Sequence, residues 1–175
     1  PSAPPMPPIA PQGSFVETGL AVFRQTQEAT LMAFSTASSN ATLPVALRVA
    51  DEKLGLPKKV ARFVLTVGAT ANQNGTALFE GVTVLFLAQF FGVELNIVSY
   101  LLIALVSVVG SAATAGTTGA TVMLTLTLST LGLPLEGVGL LLAIDPILDM
   151  GRTAVNVAGQ ALVPTIVAKR EGILD

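Results

Sequence analysis

The chain alternates long apolar stretches with compact blocks of polar or small residues, and the blocks fall where a helix would otherwise continue. From Ser14 the run FVETGLAVFRQTQEATLMAF predicts a helix. It meets STASSNATLP, Ser35 to Pro44, where hydroxyl residues and an asparagine interrupt the apolar pattern, and a short helix, VALRVADEKLG, follows to a stop at Gly55. Two short arms about a polar tip predict a re-entrant hairpin, since such backbone is tolerated at membrane depth only where protein or water satisfies it. A serine-rich surface loop is the alternative. The next helix, FVLTVGATA, breaks at Asn72, Gln73, Asn74, Gly75 and Thr76 and resumes from Ala77 to about Gly92. Consecutive amides and a glycine are poor helix material. A helix unwound there offers carbonyls and two half-helix ends to ions and solutes, whereas two short helices joined by an exposed loop would leave the same pattern.

Asn96 to Val109 and Val122 to Leu131 are apolar arms about Gly110 to Thr121, GSAATAGTTGAT, closed by Gly132 and Pro134. The small residues predict a second hairpin whose tip lets backbone approach a ligand, or alternatively a helix-packing face. Last, Gly137 to Ala168 is long and apolar enough for a bilayer span, which takes ~20 residues. It nevertheless carries Asp145, Asp149, Arg152, Asn156 and Gln160, at steps of 4, 3, 4 and 4. That spacing puts all five on one helical face. Ionised groups at membrane depth cost ~3 kcal/mol each and mark functional sites by default. A self-neutralising pair of Asp149 and Arg152 is the structural alternative to a polar solute site.

The predicted fold class is an all-α membrane protein of two re-entrant hairpins and two spanning helices, one interrupted. Residues 1–13, with six prolines, form a linker or loop. Residues 14–175 form one core: hairpin 14–55, interrupted helix 56–95, hairpin 96–134 and polar-striped helix 135–175. Apart from Arg152, the nine Lys and Arg flank the first hairpin, the start of the broken helix and the end of the last helix, while Glu94 and Glu136 mark the other ends. The positive-inside rule makes the basic ends cytoplasmic, so the hairpins enter from opposite sides as an inverted repeat, with a site where the repeats meet. The tips should then meet near Asp149 and Asn74, with Ser38 to Asn40 approaching Asn156.

Composition narrows the class. Of 175 residues, 51% are hydrophobic and 11% charged, and mean hydropathy is +0.73. A soluble domain is nearer 25% charged. The absence of cysteine and histidine excludes disulfides, thiolate chemistry and the usual zinc sites. A net charge of −2 without a basic patch gives no reason to expect nucleic acid. The start at Pro1, without a basic-then-apolar leader, is what a fragment or separately expressed part would show.

TASSNATLP, GATANQNGTALFEG and ILDMGRTAVNVAGQ resemble the dicarboxylate/amino acid:cation symporters, which include archaeal aspartate transporters and vertebrate glutamate carriers. The resemblance runs from about Phe15 to Asp175. It implies the carboxy-terminal transport core, without the amino-terminal scaffold that also forms a homotrimer. By position it implies that Asp149 receives a substrate amino group and Arg152 grips a side-chain carboxylate, for which a guanidinium fork is suited. Thr153 and Asn156 correspond to polar substrate contacts, and Thr76 lies near the substrate side chain. Ser38, Ser39 and Asn40 correspond to the first tip, whose backbone helps hold the α-carboxylate. The second tip corresponds to a zone, Thr114, Ala115, Gly116, Thr117, Thr118 and Gly119, where a proline common in relatives is missing.

Asn72, Asn74, Asn156 and Gln160 are the implied coupling-ion ligands. Sodium-coupled relatives usually carry aspartates where Asn74 and Gln160 stand. Amide oxygens ligate Na+, though more weakly without the charge. Glu80 matches a glutamate implicated in proton movement in vertebrate carriers, and an isolated carboxylate there is costly when charged. The expected function is a secondary symporter for an acidic amino acid or C4-dicarboxylate, coupled to H+ and/or Na+, without a cofactor. Its partners are a small anionic solute and the lipid bilayer, and its place is the cell (inner) membrane, as a multi-pass protein. A neutral amino-acid symporter, against which Arg152 argues, and a receptor or non-accumulating anion pore are the alternatives. No nucleophile–base pair or metal cluster suggests an enzyme.

Overall fold

A computed structural model describes residues 14–113 and 117–173, and all regular structure among them is α-helical. The order is α1 (Phe15–Gln25), α2 (Gln27–Thr36), α3 (Ser39–Glu52), α4 (Lys58–Ala71), α5 (Asn74–Phe90), α6 (Ile97–Ala113), α7 (Thr117–Thr130), α8 (Glu136–Leu142) and α9 (Asp145–Arg170).

Local chemistry sets the boundaries. Ser14 and Glu17 form a reciprocal capping box that starts α1. The helix expected to run unbroken to Phe34 ends at Thr26, whose hydroxyl donates to the Val22 carbonyl at 2.9 Å. The tip between α2 and α3 is narrower than Ser35 to Pro44. Only Ala37 and Ser38 are non-helical, because the Ser38 side chain caps the Ala41 N–H at 3.2 Å and starts α3 ahead of the proline. Pro44 sits inside α3 and brings no N–H to the Asn40 carbonyl. Likewise α5 starts at Asn74, so the break after α4 is Asn72 and Gln73 alone. Gly92 and Gly132, both at φ +67°, close α5 and α7. In each case the following N–H reaches back five residues, Val93 to the Ala88 carbonyl at 2.8 Å and Leu133 to that of Leu128 at 2.9 Å.

The continuous span expected from Gly137 to Ala168 is divided at Ala143 and Ile144. Pro146 is the reason: it lies in the first turn of α9, has no N–H for the preceding turn, and its ring would meet the Leu142 carbonyl of a continuous helix. Among the described residues no helix is long and apolar enough to cross a membrane.

Three apolar clusters hold the helices. Val22, Ala50, Leu54, Leu65 and Ala161 join α1, α3, α4 and α9. Ala29, Ala33, Ala46, Val49 and Val157 seat α2 and α3 on α9, and the alanines allow close approach. Val84, Leu87, Ile103, Leu128 and Leu141 join α5, α6, α7 and α8. The outer surface is apolar as well, with Phe63 and Ile97 each 72% exposed, while Thr42, Glu80, Asn156 and Thr165 are buried.

Candidate functional site

The break between α4 and α5 lies against the middle of α9. The first N–H groups of a helix have no intrahelical acceptor, and Gln73 supplies no side-chain cap to α5. Asn156 does so from across the fold, its Oδ1 accepting from the Gly75 N–H at 2.7 Å. Its Nδ2 donates to Gln73 Oε1 at 2.8 Å and Thr76 Oγ1 at 3.3 Å, and its backbone carbonyl accepts from Asn72 Nδ2 at 2.9 Å. Both N–H groups of this buried amide are thus used. Thr76 in turn donates to Gln73 Oε1 at 2.9 Å. Two glycines permit the approach. A Cβ on Gly75 would stand 2.1 Å from the Arg152 carbonyl oxygen, and one on Gly159 would stand 2.7 Å from Asn74 Nδ2 and 2.8 Å from Asn72 Nδ2.

One turn along α9, the Arg152 side chain is 5% exposed and held by two acids. Nε donates to Asp149 Oδ1 at 2.8 Å, while Nη1 and Nη2 donate to Asp145 Oδ1 and Oδ2 at 3.1 and 3.4 Å. The guanidinium carbon lies 4.7 Å from the Phe79 ring centroid, within cation–π range. An arginine buried this deeply must be paired, and the pairs here come from its own helix at intervals of 3 and 7 residues. The acid side chains are more open than the arginine, at 24% for Asp145 and 18% for Asp149.

Gln160 and Glu80 flank this centre. Gln160 is buried, its Nε2 has no partner among the described residues, and it lines a groove of about 310 Å³ with Phe63, Val67, Gly68, Asn72 and Val163. Glu80, 1% exposed on α5, accepts at Oε1 from Thr127 Oγ1 of α7 at 2.7 Å, whereas its Oε2 has no partner among the described residues.

The expected site residues therefore fall into groups. Asn72, Asn74, Thr76, Asn156 and Gln160 gather where the α4–α5 break meets α9, and Asp149, Arg152 and Thr153 lie on the next turn of α9. Ser38 is the cap of α3, Ser39 is half-buried and Asn40 exposed. Thr114, Ala115 and Gly116 lie outside the described residues, while Thr117, Thr118 and Gly119 begin α7. Four contributors had no role assigned from sequence. Asp145 was legible as a member of the polar stripe, and Gln73 and Gly75 as part of the break. Phe79 carried no signal among so many apolar positions.

Comparison with known proteins agrees with the resemblance. A family model described as the sodium:dicarboxylate symporter family matches residues 13–170. The chain is 38% identical over 165 residues to the proton/sodium-glutamate symport protein of Bacillus subtilis (strain 168), a match covering 90% of this chain and 37% of that protein. It is 45% identical over 143 residues to excitatory amino acid transporter 3 of Mus musculus, covering 81% of this chain and 27% of that one. Against excitatory amino acid transporter 2 of Homo sapiens the identity is 46% over 143 residues, covering 80% and 25%. The chain thus spans between a quarter and two-fifths of the length of these curated relatives. With nearly its whole described length matched by the family model, the chain belongs to the sodium:dicarboxylate symporter family.

Proposed function

We propose that this chain is the carboxy-terminal transport core of a secondary symporter that carries an acidic amino acid or C4-dicarboxylate across the cell (inner) membrane by alternating access. Family membership makes it a membrane protein and sets it among transporters rather than enzymes. The observation that carries the reading is the buried Arg152, whose fork is filled by the half-buried Asp145 and Asp149 beside a helix break. A substrate carboxylate matches Asp145 in charge and in its two-oxygen grip. It displaces that more exposed acid outward, while Asp149 stays to receive an ammonium group. Thr76, Thr153, Asn156, Ser38, Ser39, Asn40 and the zone from Thr114 to Gly119 complete the site. In this reading α1–α3 and α6–α7 are the two re-entrant hairpins of an inverted repeat, the basic ends face the cytoplasm, and a scaffold outside this chain forms a homotrimer.

Coupling is to H+ and/or Na+. The amides of Asn72, Asn74, Asn156 and Gln160 form the Na+ candidate, and Glu80 is the proton candidate. Both are neighbours of the same break. Support comes from the relatives' names, which include a proton/sodium-glutamate symport protein and excitatory amino acid transporters.

The test is counterflow in proteoliposomes, with the scaffold supplied, using aspartate, succinate and serine with and without sodium. Aspartate or succinate should exchange, and Arg152→Cys should abolish that exchange. Unchanged acidic-substrate affinity in the cysteine variant would remove Arg152 from the site. Asp149→Asn should impair aspartate more than succinate, since a dicarboxylate has no ammonium for that acid. A neutral amino-acid carrier is the second reading, and the in-chain neutralisation of Arg152 by Asp145 and Asp149 favours it. Serine exchange alone would establish it.

For coupling, wild-type uptake under an inward proton gradient without sodium should concentrate substrate. Glu80→Gln should keep exchange and lose net accumulation. Uptake that needs sodium and ignores the proton gradient would assign coupling to the amides.

A further inference from the structure

Against the apolar cluster of α5, α6 and α7 lie three buried polar side chains, one from each helix. Glu80 of α5 accepts from the Thr127 hydroxyl of α7 at 2.7 Å. Ser107 of α6 is buried and, like Glu80 Oε2, has no partner among the described residues. Its hydroxyl faces α5 at the residue that follows Glu80, where a Cβ on Gly81 would stand 3.6 Å from Ser107 Oγ. Some buried helical hydroxyls bond back to their own helix, as Thr165 of α9 does at 2.7 Å. Ser107 forgoes that bond and leaves its oxygen for α5.

We infer that Thr127 and Ser107 are positioning residues for the Glu80 carboxyl, Thr127 holding Oε1 and Ser107 serving Oε2 through one water. The inference rests on the reading of Glu80 as the proton-carrying group. Buried polar atoms without a direct partner are the kind of groups a bridging water satisfies. The two hydroxyls divide the work chemically. Thr127 donates to Oε1, which leaves Oε2 as the oxygen that takes the proton. A serine hydroxyl both donates and accepts. It therefore passes a hydrogen bond toward the Oε2 of a carboxylate and, with the chain of bonds reversed, accepts from the O–H of the acid. One proton is gained or lost at Oε2, and no other bond is made or broken.

Other charges around Glu80 are few. α5 carries no second charged residue, and α6 and α7 carry none, Tyr100 in the first turn of α6 being their other titratable group. From α9 come Asp145, Asp149 and Arg152, which pair with one another, while Lys169 and Arg170 lie in its last turn. α8 begins at the exposed Glu136.

The experiment is infrared difference spectroscopy between acidic and alkaline pH on the chain reconstituted in lipid, following the protonated-carboxyl stretch. A band lost in Glu80→Gln identifies the group. Thr127→Val, close in volume, should shift that band to higher frequency as the hydrogen bond is lost, and Thr127→Ser should restore it. Ser107→Ala should shift it as well and reduce its response to H2O/D2O exchange. A Glu80 band unmoved in Thr127→Val and Ser107→Ala would overturn the inference and leave the proton reading standing. No Glu80-dependent band at any pH would overturn both.

Discussion

Asn156 makes three side-chain bonds to residues 80 to 83 positions earlier, Gly75, Thr76 and Gln73, and a buried donor left without its acceptor costs ~1–3 kcal/mol. Asn156→Ala should therefore lower stability by about that amount, read from thermal denaturation in detergent. Combined with Gln73→Ala it should show coupling, because contacting residues depart from additivity. Effects that add within ~0.3–0.5 kcal/mol would mean that the two amides act independently. Gly75→Ala should be worse than its one carbon suggests. The new Cβ meets the Arg152 carbonyl, and backbone cannot turn aside as a side chain can; overpacking of this kind costs ~1–3 kcal/mol. Much of this centre was legible, because amides are conspicuous in an apolar chain and steps of 4, 3, 4 and 4 put Asp145 to Gln160 on one face. What the sequence could not disclose was pairing. Nothing in it says that Asn156 caps α5, or that Arg152 takes two acids of its own helix rather than one.

At the scale of elements the misread boundaries share a cause, a single residue outweighing the apolar pattern. Pro146 divides the last helix, the Ser38 cap starts α3 early, and a turn at Thr26 parts α1 from α2 within a run that looked continuous. The tip between α2 and α3 holds a further detail. Ala37 sits at φ 48° and ψ 34°, a left-handed conformation that costs an L-residue ~1–2 kcal/mol. Ala37→Gly should relieve this, less the entropy that glycine loses on folding, for a net gain of up to ~1 kcal/mol in melting experiments. The opposite end of this helix pair is tied by charge. Glu28 bonds Arg48 and Lys53, Arg48 reaches Glu52 at 3.6 Å, and Lys58 reaches Asp51 at 3.4 Å. The Arg48 bond, and then the Lys53 bond, hold the Glu28 carboxyl below its ordinary 4.5. A lowered pKa contributes stability above the unfolded value and loses it as pH falls through the folded one. Protection from hydrogen exchange at the start of α2 and the end of α3, taken relative to the intrinsic rate at each pH, should thus fall as pH drops below about 4.5, modestly because the pair is exposed. Glu28→Gln should flatten that dependence.

Much of the molecule's outer surface is large apolar side chains, while Thr76, Glu80, Arg152, Asn156 and Gln160 of α5 and α9 are buried. So much apolar surface calls for lipid or protein cover. Purified chain should aggregate when detergent is withdrawn and stay monodisperse in lipid nanodiscs, as light scattering would record. The central joint also has a date in the life of the chain. Asn72 bonds a residue 84 positions later, so it leaves the ribosome well ahead of its partner. At ~5–20 residues per second that lead is roughly 4–17 s. Throughout it the two half-helices exist with their polar ends unmet, and whatever inserts the chain must shelter a nick in an otherwise oily strand. Nascent chains arrested before Asp149 should be cut by protease between Thr70 and Thr76, and chains released through Arg170 should resist.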